Sequence, residues 1–158
     1  MAPTVATPRT DTLMLGAVSA STAILHLSAA QGHWADSRLY GSAFIVTGVI
    51  QLLWAAAVSG PGRGSRWLLR AGVGFALLAM AVWLCSRTVG LPLGPDLGHP
   101  EAPGVPDVCA VVCEGVLVLL CLRVLRRPGA PLPEWASAVA LLSAFVALIV
   151  FTAVAHVG

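Results

Sequence analysis

The chain has 158 residues, of which 58% are hydrophobic and 10% charged, and its formal net charge is +2. A soluble domain carries roughly 45–50% apolar and about 25% charged residues, so soluble globular, disordered and nucleic-acid-binding proteins are excluded. Four cysteines are too few for a disulfide-stapled scaffold, which leaves an integral membrane protein.

A hydrocarbon core about 30 Å thick needs around 20 apolar residues per helix. Five stretches meet that length: 12–31, 40–58, 66–87, 107–125 and 135–157. In the first, Arg9, an apolar run and Ser28-Ala29-Ala30 also match a signal peptide with its cleavage site, although the run is long and contains His26. The second and third spans are separated by the turn cluster Ser59-Gly60-Pro61-Gly62-Arg63-Gly64-Ser65. The third and fourth are separated by 88–106, where Pro92, Pro95, Pro100, Pro103 and Pro106 alternate with glycines, and no helix survives that spacing. Arg126-Arg127-Pro128-Gly129-Ala130-Pro131 ends the fourth span. The expected fold is therefore all-α: a single integral membrane domain over 1–158, a five-transmembrane-helix bundle with a Pro/Gly-rich extracytoplasmic loop.

Arginine placement orients it. With the N-terminus cytoplasmic, Arg9, Arg63, Arg66, Arg70, Arg123, Arg126 and Arg127 lie inside, while Arg38 and Arg87 lie outside with Asp36, Asp96, Glu101 and Asp107. That bias in short loops predicts an N-in, C-out protein. The chain has no lysine and no asparagine and is rich in alanine, valine, glycine and arginine. This is the composition of a GC-rich bacterial genome, so the expected location is a bacterial cell membrane.

Lipid gives helices no hydrophobic reason to associate, so small residues and polar groups must do it. Gly16, Ala20 and Ala23 in the first span, Gly72 and Gly74 in the third, and Ala136, Ala140, Ala144 and Ala147 in the fifth are the expected packing positions. Trp54, Trp67 and Trp135 at one interface, with Trp34, Tyr40 and Trp83 at the other, form an expected aromatic belt.

The remaining polar residues gather on one side. His26 and His33 are seven apart and share a helix face, which Ser19 and Thr22 extend. Tyr40, Thr47 and Gln51 share another, and Asp107 and Glu114 a third. With N-in topology His26, His33, Arg87, Glu114 and His156 all fall in the outer half, below a loop bearing Asp96, His99 and Glu101. A carboxylate within a membrane costs about 2.5–3.5 kcal/mol on insertion scales and faces the bundle interior. His26, His33, Glu114 and His156 are therefore the candidate ligand-binding residues, with Tyr40, Gln51, Arg87 and Asp107 supporting them. Against this, His33, His99 and His156 also read as ordinary interfacial or terminal residues. Two pairings of Glu114 stand open: a structural ion pair with Arg87 and a carboxylate–imidazole pair with His26.

Cys85, Cys109 and Cys113 lie in the same half. They read as small apolar fillers, as a Cys85–Cys109 disulfide, or, for Cys109 and Cys113 with a histidine, as a soft-metal site. The familiar metallohydrolase, P-loop and serine-hydrolase motifs are absent from the sequence.

The ordered pattern of His26-x6-His33, Tyr40-Gly41-x2-Phe44-x3-Gly48-x2-Gln51-x2-Trp54, Trp83-x2-Ser86-Arg87-Thr88-Val89-Gly90-Leu91-Pro92-x-Gly94-Pro95 and Asp107-x6-Glu114 resembles small multi-pass membrane proteins of actinobacteria. The resemblance covers roughly residues 20–125. It implies that these polar residues belong to one design and implies no activity. Length and span number are also similar to the tryptophan-rich translocator proteins that bind porphyrins and sterols. This chain lacks their Trp-x-Pro-Pro element, so that activity is not carried over.

The leading functional expectation is a binding or transport module with an outward-facing His/Glu/Arg pocket, for a transition metal, haem held between two histidines or another small ligand. The 88–106 loop would be its lid, and transport by so few helices would require a homo-oligomer. An alternative is an accessory subunit of a larger membrane complex. A membrane enzyme ranks last, because no nucleophile–base arrangement is visible.

Overall fold

The computed structural model describes residues 9–60, 65–94 and 97–157. Among them the chain forms five helices and no strand: α1 Arg9–Asp36, α2 Arg38–Ser59, α3 Arg66–Thr88, α4 Val105–Arg126 and α5 Trp135–Val157. Each is long and apolar enough to cross a membrane, as the run lengths predict, and the chain is a multi-pass membrane protein. The main boundary difference is at the first span. Helix α1 continues to Asp36, and Ser37 alone separates it from α2. Ser37 is extended (φ −154°, ψ 119°), and its side chain accepts a hydrogen bond from the Tyr40 backbone N–H. One residue thus both ends a helix and caps the next.

Helix α1 is the axis of the bundle. Of its most apolar window 67% is buried, against 17% for α3. It packs on α2, α4 and α5, whereas α3 packs chiefly on α4, and α2 and α3 meet sparsely. Leu15, Val18, Thr22 and Leu25 of α1 are fully buried. Small residues set the α1–α2 approach. A Cβ on Gly48 would meet Leu27 and the Ala23 carbonyl, and one on Gly41 would meet Trp34. Gly16 lies against Ser59 and the Ala55 carbonyl in the same way, and such close backbone approach is how helices gain contact in lipid.

Two expected packing positions are corrected. Gly74 has open space around its Cβ direction, because it faces away from α4. On α5 the buried stripe is Ala136, Ala140, Ser143 and Ala147, while Ala144 is exposed. A run of alanines does not reveal which way its helix is turned, and Ser143 answers its own hydroxyl through the Val139 carbonyl at 2.8 Å.

The arginine-rich end of the bundle is closed. Trp54 donates its indole N–H to the Leu68 carbonyl at 2.9 Å and lies on Gly72, where a Cβ would come within 2.5 Å of the ring. This joins α2 to α3. Asp11, 2% exposed, accepts the Leu132 backbone N–H at 3.2 Å and ties α1 to the segment before α5. The expectation that the interior polar residues gather on the other side is thereby corrected: Asp11 and Thr12 are buried at this end.

Candidate binding site between α2 and α3

At the opposite end α2 and α3 diverge, and two side-chain networks line the space between them. The first is centred on Glu114 of α4, 1% exposed. Its Oε1 accepts from Gln51 Nε2 of α2 and lies 3.4 Å from His26 Nε2 of α1. Ser19 then donates to the Gln51 backbone carbonyl at 3.1 Å. Three helices therefore converge on one carboxylate oxygen. The other, Oε2, has no hydrogen-bond partner among the described residues, and neither do Gln51 Oε1, His26 Nδ1, Arg87 Nε and Trp83 Nε1.

The second network surrounds Arg87. Its Nη1 donates to Glu101 Oε2 at 2.5 Å and its Nη2 to Asp107 Oδ2 at 2.6 Å. Local backbone geometry delivers both acids. Asp107 sits in the first turn of α4 after Pro106, and its Oδ2 also accepts the Gly104 N–H at 3.3 Å. Glu101 is held by its own N–H bonding the Ser86 carbonyl at 3.0 Å. On the far side of Asp107, Oδ1 lies 3.9 Å from His33 Nε2. The His33 ring in turn stacks on Phe44, centroids 4.6 Å apart and 10° from parallel. Arg87 lies over Trp83 at 6.0 Å from the ring centroid.

Between the networks is a cavity of about 290 Å³. Its polar wall is formed by His26, His33, Glu114, Arg87, Asp107 and Glu101. Its other walls are aromatic and aliphatic, with Tyr40, Phe44, Phe75 and Trp83 foremost. Its rim includes Ala43, Leu78 and Val82, which are exposed on the bundle surface. The cavity therefore opens sideways between α2 and α3, where lipid would lie. The proline-rich loop caps its end. Tyr40 donates its hydroxyl to the Leu93 carbonyl at 2.7 Å, and Gly94 lies on the Tyr40 ring with φ +97°. That conformation and that proximity both exclude a side chain.

The seven-residue spacings thus place His26 with His33, Tyr40 with Thr47, and Asp107 with Glu114 around one space, with Gln51 reaching Glu114 behind it. Other expectations are corrected. Arg87 pairs with Glu101 and Asp107 rather than with Glu114, since a loop folding back brings acids closer than the neighbouring helix does. His156 is exposed at the end of α5, its Nδ1 turned to the Thr152 carbonyl at 2.6 Å, because α5 packs on α1 away from the cavity. His99 is exposed in the loop, and Asp96 lies outside the described residues. All four cysteines are free, so Cys85 and Cys109 form no disulfide; Cys113 is buried and Cys109 half-buried on α4.

Among the described residues no three His, Cys, Asp or Glu side chains are placed to hold a metal ion, which removes the Cys109–Cys113 site as a three-ligand centre. His26 and His33 project from one face of one helix, so they present no opposed axial nitrogens to a haem iron. Sequence reasoning missed Phe44, Phe75 and Trp83 as site walls, since an aromatic in a membrane helix looks the same whether it meets lipid or a cavity. No protein-family model, curated protein or solved structure matches the chain.

Proposed function

We propose that the protein binds a small amphipathic molecule from the bilayer in the cleft between α2 and α3. In this reading it sits in a bacterial cell membrane with its N-terminus cytoplasmic and the cleft in the outer half. The observation that carries the proposal is the combination of a laterally open, largely apolar cavity with buried polar atoms left unpartnered beside it, Glu114 Oε2 foremost. Buried polar groups are nearly always satisfied, and groups left open beside a cavity are what orients a bound molecule. The Tyr40–Leu93 tether makes the loop a fixed roof, so access runs through the lipid-facing slot.

The test is equilibrium dialysis of the protein in nanodiscs against 4-phenylbutylamine, 4-phenylbutanol and 4-phenylbutyrate, three probes with one apolar body and different heads. Saturable binding of at least one, lost in Ala79→Trp, which sets an indole on a residue of α3 that lines the slot, supports the reading. Partitioning of all three equal to that of empty nanodiscs contradicts it.

A further inference from the structure

We infer that the molecule taken up is a hydrophobic amine or other organic cation, with Glu114 as its counter-ion; this rests on the cleft being a binding site. Three carboxyl groups, those of Glu101, Asp107 and Glu114, line the cavity with one guanidinium, that of Arg87, and two imidazoles, those of His26 and His33. Arg87 is committed. Its two terminal nitrogens hold Glu101 and Asp107, and it lies over Trp83. An anionic head approaching this guanidinium would meet the two carboxyl groups already held by it. Glu114 is placed differently. It has no arginine, its Oε1 is shared by Gln51 and His26, and its Oε2 is buried without a partner. A donor bearing positive charge supplies the hydrogen bond that Oε2 lacks and adds a cation to a carboxyl group whose basic neighbour is the His26 imidazole, 3.4 Å from Oε1.

The walls agree with that assignment. Tyr40, Phe44, Phe75 and Trp83 line the same cavity, and aromatic faces attract alkylammonium groups through their quadrupoles. Trp83 already holds one cation, Arg87, against its ring. A chamber with aromatic sides, a carboxylate at its floor and an opening to lipid suits an ammonium carried on an apolar body of moderate size.

The same three probes separate this inference from the one beneath it. In wild-type protein 4-phenylbutylamine binds about tenfold tighter than 4-phenylbutanol, as expected for a paired and aromatic-faced cation, and 4-phenylbutyrate binds weakest. Glu114→Gln, checked for folding by circular dichroism and a monodisperse elution profile, reduces the amine to the level of the alcohol. Phe75→Leu, which leaves both polar networks intact, weakens the amine more than the alcohol. Equal binding of amine and alcohol in wild-type protein, or preference for the acid, overturns the cation while leaving the cleft as a binding site. Absence of saturable binding by all three overturns both. The wild-type comparison decides the matter even where Glu114→Gln fails to fold.

Discussion

The two ends of the bundle handle buried polarity in opposite ways. At the arginine-rich end the buried Asp11 is answered by the Leu132 N–H and the half-buried Trp54 by the Leu68 carbonyl, while Arg123 Nε has no partner among the described residues. The helices there are drawn together, with Gly72 under Trp54 and Gly16 under Ser59. At the other end side chains answer side chains, in the Glu114 and Arg87 networks, and they do so around a cavity with atoms left over. Backbone partners are fixed by the fold and exhaust the group they satisfy. Side-chain networks can be rearranged or completed by a ligand, and they are costly when half satisfied. The closed end therefore holds the bundle together, and the open end keeps α2 and α3 apart.

Substitutions at both ends test this division, and the largest effect belongs to the open end. Arg87→Ala strands the Asp107 carboxylate, 5% exposed, together with Glu101. Removing one partner of a buried charge network costs about 3–5 kcal/mol, so the thermal midpoint in detergent should fall sharply, with partial recovery when Asp107→Asn is added. A midpoint unchanged by Arg87→Ala would show the network to be solvent-screened. Next in size is Gly72→Val at the closed end. Overpacking against Trp54 should cost about 1–3 kcal/mol and leave probe binding affinity unchanged in the folded fraction, since Gly72 is not among the residues that line the cavity.

Smaller effects sharpen the contrast. Gly94→Ala forces a side chain into a left-handed backbone and onto Tyr40. A cost of about 1–2 kcal/mol should appear as faster proteolysis within 88–104 while the helices stay intact. Smallest of all is Gly74→Ala. With no neighbour near its Cβ direction, it should stabilise α3 by no more than about 1 kcal/mol through helix propensity. A loss of stability there would mean that α3 is turned differently about its axis.

Much of this architecture was legible in the sequence. The five helices follow from the thickness of a bilayer, and breaks such as Ser65 and Gly104 stand where caps are needed. The spacing of His26 from His33 and of Asp107 from Glu114 puts each pair on one helix face, and all four residues line the cavity. Spacing says nothing about which face meets which, however. Glu114 has Gln51 and His26 for neighbours rather than Arg87 because α1 lies between α2 and α4, a matter of bundle topology. Glu101 reaches Arg87 through a loop whose return path depends on glycine conformations and on Tyr40. Asp11 escaped notice because an acid at a helix start reads as a surface residue, whereas here the segment before α5 folds over it. On α5 the buried residue is Ser143 rather than Ala144, a matter of helix rotation that a uniformly apolar helix does not encode.

The most direct test of the account is an experimental structure of the protein in a lipid environment with 4-phenylbutylamine. The account predicts its phenyl ring between α2 and α3 among Phe44, Phe75 and Trp83, with its nitrogen about 3 Å from Glu114 Oε2 and Arg87 still holding Glu101 and Asp107. A closed α2–α3 interface with no room for the probe, or Arg87 swung onto Glu114 with the amine outside the bundle, would contradict it.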